Sequence, residues 1–123
     1  MGTIKVAINR DYGGFGLSNE AFEMLIDKKG IPYIIDGTTC NGDFEFINQD
    51  TGERLYPWEF YEDRTDKDLI DVIEELGNKA NSWISSLKVI EIPDNVEWEI
   101  GYYDGKEWVA EVHRTWQWLL INK

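Results

Sequence analysis

The sequence predicts an α+β fold with two main α-helices. Three observations carry that expectation. Two stretches repeat apolar residues at helical spacing behind a capping residue: Phe22, Leu25 and Ile26 after Ser18, and Leu69, Ile73, Leu76 and Ala80 after Thr65 or Asp66. Several shorter stretches alternate apolar and polar residues between Gly, Pro, Asn and Asp clusters, as strands do. Finally, 123 residues of 42% hydrophobic content, without repeat, low-complexity tract or Ser/Gly linker, fit one domain over 1–123. Such a chain is long enough to bury about two thirds of its unfolded surface.

The elements follow in order. Residues 3–8 alternate Ile4, Val6 and Ile8 and read as a strand. A glycine-rich loop, Asn9-Arg10-Asp11-Tyr12-Gly13-Gly14-Phe15-Gly16, leads to the first helix at about Ser18. Ser18 caps that helix, Glu20 favours the positive end of its dipole, and Leu17 staples onto Phe22. Lys28-Lys29-Gly30 stops it, with Pro32 beyond. Residues 33–35 and 44–47 are short strands, and Asp50-Thr51-Gly52-Glu53 is a turn. Tyr56-Pro57-Trp58-Glu59-Phe60-Tyr61 is an aromatic segment whose proline disfavours a central strand. Thr65 or Asp66 caps the second helix, Gly77 is placed to break it, and residues 81–86 are expected to add a turn. A strand over 87–92 is closed by Pro93.

Residues 97–112 form a hairpin around Asp104-Gly105. A two-residue loop would pair Ile100 with Val109 and put Trp108, Ala110 and Val112 opposite Trp98, Ile100 and Tyr102. A three-residue loop pairs Tyr102 with Trp108, Ile100 with Ala110 and Trp98 with Val112. That register gathers the apolar residues on one face and leaves Glu97, Glu99, Glu107 and Glu111 in water. Because register follows the buried face, the longer loop is expected. The apolar stretch 116–121 must pack on its own domain or on a partner. With six Trp, six Tyr and five Phe in the chain, it suggests a homo-oligomer, dimer or higher.

Composition narrows the function classes. Twenty-four acids against twelve bases give a net charge of −12, which repels nucleic acid and anionic membranes. One reading of that surface is solubility; a sharper one is mimicry of nucleic acid toward a basic partner. No apolar run approaches the roughly 18 residues of a membrane span. The opening stretch lacks the order of a signal peptide, and Val6 departs from the myristoylation pattern after Gly2. A single cysteine, Cys40, forms no intrachain disulfide and suits a reducing cytoplasm.

No catalytic motif is present. His113 is the only histidine, which is a poor basis for a nucleophile–base pair with Cys40. No spacing matches zinc, residues 36–43 do not match a calcium loop, and no cofactor is expected. The glycine loop between strand and helix has two readings: an anion cradle of exposed amides, or a tight turn with Phe15 in the core. Of four arginines, Arg10 leads into that loop, Arg64 precedes the second helix cap and Arg114 follows the last strand. Each is either a phosphate contact or an ordinary ion pair, with Asp11, Asp63 and Asp66 adjacent. If Arg64 and Arg114 serve a ligand, Arg64→Ala and Arg114→Ala should weaken binding and leave the melting temperature of the free protein nearly unchanged.

Several segments together resemble a family of small bacteriophage proteins. They are Ala7-Ile8-Asn9-Arg10-Asp11-Tyr12-Gly13-Gly14-Phe15-Gly16-Leu17-Ser18, Arg64-Thr65-Asp66 into Leu69-Ile70, and Leu76-Gly77. Val89-Ile90-Glu91-Ile92-Pro93-Asp94, Trp98-Glu99-Ile100, Asp104-Gly105-Lys106-Glu107-Trp108-Val109-Ala110-Glu111 and His113-Arg114-Thr115-Trp116 complete the set. Within that group the chain resembles the first-described Thoeris anti-defence proteins. Those are sponges that sequester the cyclic ADP-ribose signal of bacterial TIR-domain enzymes without cleaving it. The resemblance implies an antiparallel β-sheet decorated by two main α-helices, in a non-enzymatic protein of the host cell cytoplasm, assembled as a dimer or higher oligomer with ligand pockets near subunit contacts. Placed physically within the matching segments, the ligand-binding candidates are Asn9, Arg10, Tyr12, Gly13, Gly14, Phe15, Arg64, Trp83, His113, Arg114 and Trp116. The arginines and helix starts would meet a pyrophosphate, and Tyr12, Phe15, Trp83 and Trp116 are stacking platforms for adenine. The reading from another class is an acidic nucleic-acid mimic that binds the basic groove of a defence nuclease.

Overall fold

The computed structural model describes residues 2–112, so His113, Arg114, Trp116 and the stretch 116–121 lie outside the described residues. Within that range the chain is α+β, with seven antiparallel strands and two α-helices. The strands divide into three small sheets. β1 (Thr3–Asn9) pairs with β5 (Leu87–Pro93); β2 (Tyr33–Thr38), β3 (Phe44–Asn48) and β4 (Arg54–Leu55) form a second sheet; β6 (Trp98–Tyr103) and β7 (Lys106–Glu111) form a hairpin. Among the described residues, no helix is long and apolar enough to cross a membrane.

The first helix, α1 (Asn19–Lys28), starts where its cap dictates. The Ser18 hydroxyl accepts the Ala21 amide at 3.1 Å and donates to the Lys79 carbonyl at 2.6 Å, tying the helix start to the 3-10 turn that follows the second helix. Leu17 and Phe22, the expected staple pair, are both in the core. The second helix, α2 (Lys67–Leu76), is capped by Asp66, which accepts the Leu69 amide at 3.1 Å. Thr65, the other candidate cap, bonds Asp63 instead. Gly77 ends α2 with a φ of 58°, and a 3-10 turn over Gly77–Ala80 carries Ala80 into the core.

Phe22, Leu25 and Ile26 of α1 meet Leu69, Ile70, Val72 and Ile73 of α2, together with Ala7 and Phe46. Each fully buried Leu, Ile, Val or Phe side chain among them contributes about 1.5–3 kcal/mol of transfer free energy. Phe46 meets Phe22 edge-on, with ring centroids 5.0 Å apart. The alternation in β1 predicts one covered face, but Val6, Ala7 and Ile8 are buried in succession, so both faces are covered. The Ala7 amide donates to the Arg64 carbonyl at 2.8 Å, which fastens the lead-in of α2 along β1.

The hairpin register differs from the sequence expectation. Ile100 pairs with Val109, Gly101 with Trp108 and Tyr102 with Glu107, which is the two-residue loop. Asp104 and Gly105 have φ of 51° and 91°, as a two-residue turn of this hand requires. Counting apolar side chains favours the longer loop because it treats Glu107 as a surface residue. Glu107 is instead buried on a cationic partner, and that pairing selects the register. Trp108 then falls on the face opposite Trp98, where its indole lies directly on Gly101 and would be displaced by any side chain there. Residues 81–86 also differ: a non-helical turn at 83–84 replaces the expected helical turn, held by Ser82 and Ser85.

Candidate functional site

Five of the sequence-predicted ligand residues come together on contacts within the chain: Asn9, Phe15 and Arg64 around an internal anion, and Gly13 and Gly14 under the hairpin turn. The Arg64 guanidinium grips Glu107 with both arms, Nη1 to Oε1 at 2.6 Å and Nη2 to Oε2 at 2.9 Å. Its Nε donates to the Tyr61 carbonyl and Nη1 also reaches the Ala7 carbonyl. The guanidinium lies 4.1 Å from the Phe15 ring centroid, so Phe15 stacks on a charge while packing against the core. The side chains of Arg64 and Glu107 are 15% and 8% exposed, and this cation is neutralised inside the fold. Asn9 completes the cluster: its backbone amide donates to Glu107, its Nδ2 to the Asp11 and Gly105 carbonyls, and its Oδ1 accepts the Ser86 amide.

Gly13 and Gly14 have φ of 115° and 106° and receive the hairpin turn. A Cβ on Gly105 would strike their backbone, and the Gly13 amide donates to the Asp104 carbonyl. The loop therefore seats a turn of its own chain. Arg10 and Tyr12 are exposed; Lys106 lies 5.6 Å from the Tyr12 ring centroid, and Arg10 makes no ion pair among the described residues. Trp83 stands apart from this cluster and is 72% exposed.

Trp83 lines a cleft of about 350 Å³ that the sequence reading did not assemble. Three segments build it. β3 places Phe44 and Phe46 on one face, Phe46 going into the core and Phe44 remaining partly open to the cleft. Past β4, Pro57 starts a 3-10 turn over Pro57–Phe60, and the Glu59 carboxylate accepts the Tyr56 amide at 2.9 Å. This turn lays Tyr56 and Trp58 parallel, with centroids 4.4 Å apart and planes 19° from each other. The Arg54 guanidinium sits 4.8 Å from the Tyr56 centroid, giving a cation, a phenol and an indole in contact on one wall. Trp83 comes from the third segment, fixed because Ser85 Oγ donates to the Gly16 carbonyl at 2.8 Å and accepts the Ser82 amide.

Polar groups close the cleft toward α1. The Asn19 side chain donates to the Gly42 carbonyl and accepts the Phe44 amide, which clips the 39–43 loop to the helix start. Asp43 lines the cleft as its carboxylate, and Arg54 as its cation. Arg54 is loosely paired with Glu45, Nη1 to Oε1 at 3.6 Å, both side chains about one third exposed. Tyr61 forms part of the lining and donates to the Phe15 carbonyl. Burial pushes its phenol above the ordinary value against the opposing pull of Arg64, so it is a neutral donor.

The arrangement has the chemistry of a binding site for a planar, polar molecule. Aromatic faces supply stacking, and a shallow-buried guanidinium supplies one contact for an anion. Arg54, Tyr56 and Trp58 were missed because the short β4 passes at Pro57 into a 3-10 turn, so neither strand nor helix periodicity marks them as one wall. The legible signal was four aromatics in six residues around Pro57. No family model, no curated protein and no solved structure matches the chain.

Proposed function

We propose that the protein binds a cyclic ADP-ribose-type signalling nucleotide in the aromatic cleft and sequesters it without cleaving it. This is the activity implied by the resemblance to the phage anti-defence sponges, acting in the cytoplasm of an infected bacterium. The observation that supports it is the exposed wall of Arg54, Tyr56 and Trp58 in a cleft shared with Trp83. Trp58 and Trp83 are 55% and 72% exposed, a cost that stacking on a base would offset by about 1–3 kcal/mol per ring. A volume of about 350 Å³ lies within the range that holds small ligands. In this reading the anion contact moves from Arg64, whose charge is engaged by Glu107, to Arg54.

The experiment mixes the protein with lysate containing an activated TIR enzyme, removes free nucleotide, denatures the protein and analyses the released molecules. The expected product is an adenine nucleotide of unchanged mass that still activates the defence effector. Trp58→Ala and Trp83→Ala should each reduce the captured amount by roughly 5- to 150-fold in affinity. Recovery of a linearised nucleotide would replace the sponge with an enzyme. A second reading, the acidic nucleic-acid mimic, draws on Glu91, Glu99 and Glu111, which stand exposed on β5, β6 and β7. Salt-sensitive binding to a basic nuclease, with no nucleotide captured, would favour it.

A further inference from the structure

We propose that Glu45 competes with the ligand phosphate for Arg54, so that one carboxylate on β3 sets the affinity of the cleft for anionic ligands. The proposal rests on the cleft being a nucleotide site and concerns how that site is tuned. Arg54 on β4 pairs with Ile47 on β3, which places Glu45, two residues earlier, diagonally across the same face. Their contact is 3.6 Å, well beyond the roughly 2.7–2.9 Å of a charge-assisted hydrogen bond. Both side chains are about one third exposed, so water and salt screen the pair. The buried Arg64–Glu107 pair, at 2.6 Å and with little exposure, is the contrasting case of a guanidinium already committed.

Gly37 on β2 provides the room Glu45 needs. A Cβ at Gly37 would come within 3.6 Å of Glu45 Oε2, so the carboxylate lies over bare backbone with no side chain fixing it from that side. Arg54, meanwhile, stays over the Tyr56 ring and lines the cleft, while Glu45 lies outside it. Asp43 is the acid that lines the cleft, and it makes no ion pair with Arg54 among the described residues. A phosphate presents two oxygens to the guanidinium fork and outcompetes a single carboxylate oxygen at long range. A phosphate that takes the Nη1 edge of Arg54 must nevertheless first disengage Glu45.

The test titrates wild type, Glu45→Gln, Arg54→Gln and the double variant with two probes, cyclic ADP-ribose and uncharged adenosine. Glu45→Gln should tighten cyclic ADP-ribose by roughly 3- to 10-fold and leave adenosine unchanged. Arg54→Gln should weaken cyclic ADP-ribose by about 10-fold or more, and adding Glu45→Gln to it should recover nothing. Thermal melts of all four proteins should coincide, since both side chains are partly exposed. Unchanged affinity in Glu45→Gln overturns the proposal and leaves the nucleotide site standing. A gain that persists without Arg54 also overturns it, because the carboxylate then only repels the ligand directly. If neither probe binds any of the four proteins, the nucleotide reading itself fails and this proposal falls with it.

Discussion

Arg64 and Glu107, 43 positions apart, form a two-armed ion pair that fastens the β6–β7 hairpin to the lead-in of α2. The same carboxylate accepts the backbone amide of Asn9 at the end of β1. One buried anion thereby joins three segments that are distant in sequence. Removing either partner leaves an uncompensated buried charge, which is more damaging than losing an exposed pair.

Arg64→Ala and Glu107→Ala should therefore each lower stability by about 3–5 kcal/mol. The double substitution Arg64→Met with Glu107→Leu should recover much of that loss, because the apolar pair leaves no orphaned charge. Urea denaturation of the three variants measures this. A loss below about 1 kcal/mol in Arg64→Ala would mean that the guanidinium is free, as a purely ligand-serving arginine would be.

The hairpin turn offers a comparison between two glycines. Gly105 has φ of 91° and a Cβ there would enter the backbone of Gly13 and Gly14, whereas Gly52 has φ of 74° with open space around it. Gly52→Ala should cost about 1 kcal/mol from backbone strain alone. Gly105→Ala should cost about 2 kcal/mol or more, because strain and collision combine. Equal melting-temperature losses would show that the turn does not seat on the glycine loop.

The Thr65 hydroxyl, at 2.6 Å, and the Thr65 amide, at 3.0 Å, hold the Asp63 carboxyl below its ordinary value of 3.8. A depressed folded-state pKa contributes stability that is present above the unfolded value and lost as pH falls through the folded value. The loss is thus expected on the acid side, below the ordinary carboxylate range. Following the Asp63 carboxyl carbon by NMR should give a midpoint under 3.8 that rises in Thr65→Ala. An unmoved midpoint would assign the depression to other groups.

Tyr102, Tyr103 and Trp108 stand exposed on the hairpin, and Ile34 and Ile35 stand exposed on β2. So much open apolar surface is expected to be covered by a second copy of the chain, giving a homo-oligomer. Sedimentation equilibrium at micromolar concentration should report a dimer or larger species. Tyr103→Glu with Trp108→Glu should shift it toward monomer if the hairpin is the contact. A wild-type monomer would reject assembly.

Local chemistry was enough, by itself, to determine much of this protein. Ser18 and Asp66 cap their helices because a side-chain oxygen two or three residues before an amide needs nothing from elsewhere. Gly77 and Gly30 end them, and the Asp104-Gly105 turn sits where its dipeptide says. Tertiary structure decided what depends on distant partners. The hairpin register follows Glu107, whose burial is decided by Arg64 and Asn9, and no alternation within 97–112 records either of them. Asn9, Gly13, Gly14, Phe15 and Arg64 were legible as a special cluster, yet the anion that Asn9 and Arg64 meet is their own chain's carboxylate, and the glycines seat their own chain's turn. The aromatic cleft was the least legible feature: Phe44 comes from β3, Tyr56 and Trp58 from the turn after β4, and Trp83 from the turn at 83–84, three segments with no shared period. Their convergence is fixed only when α1, the 39–43 loop and the 82–85 turn close on one another through Asn19 and Ser85.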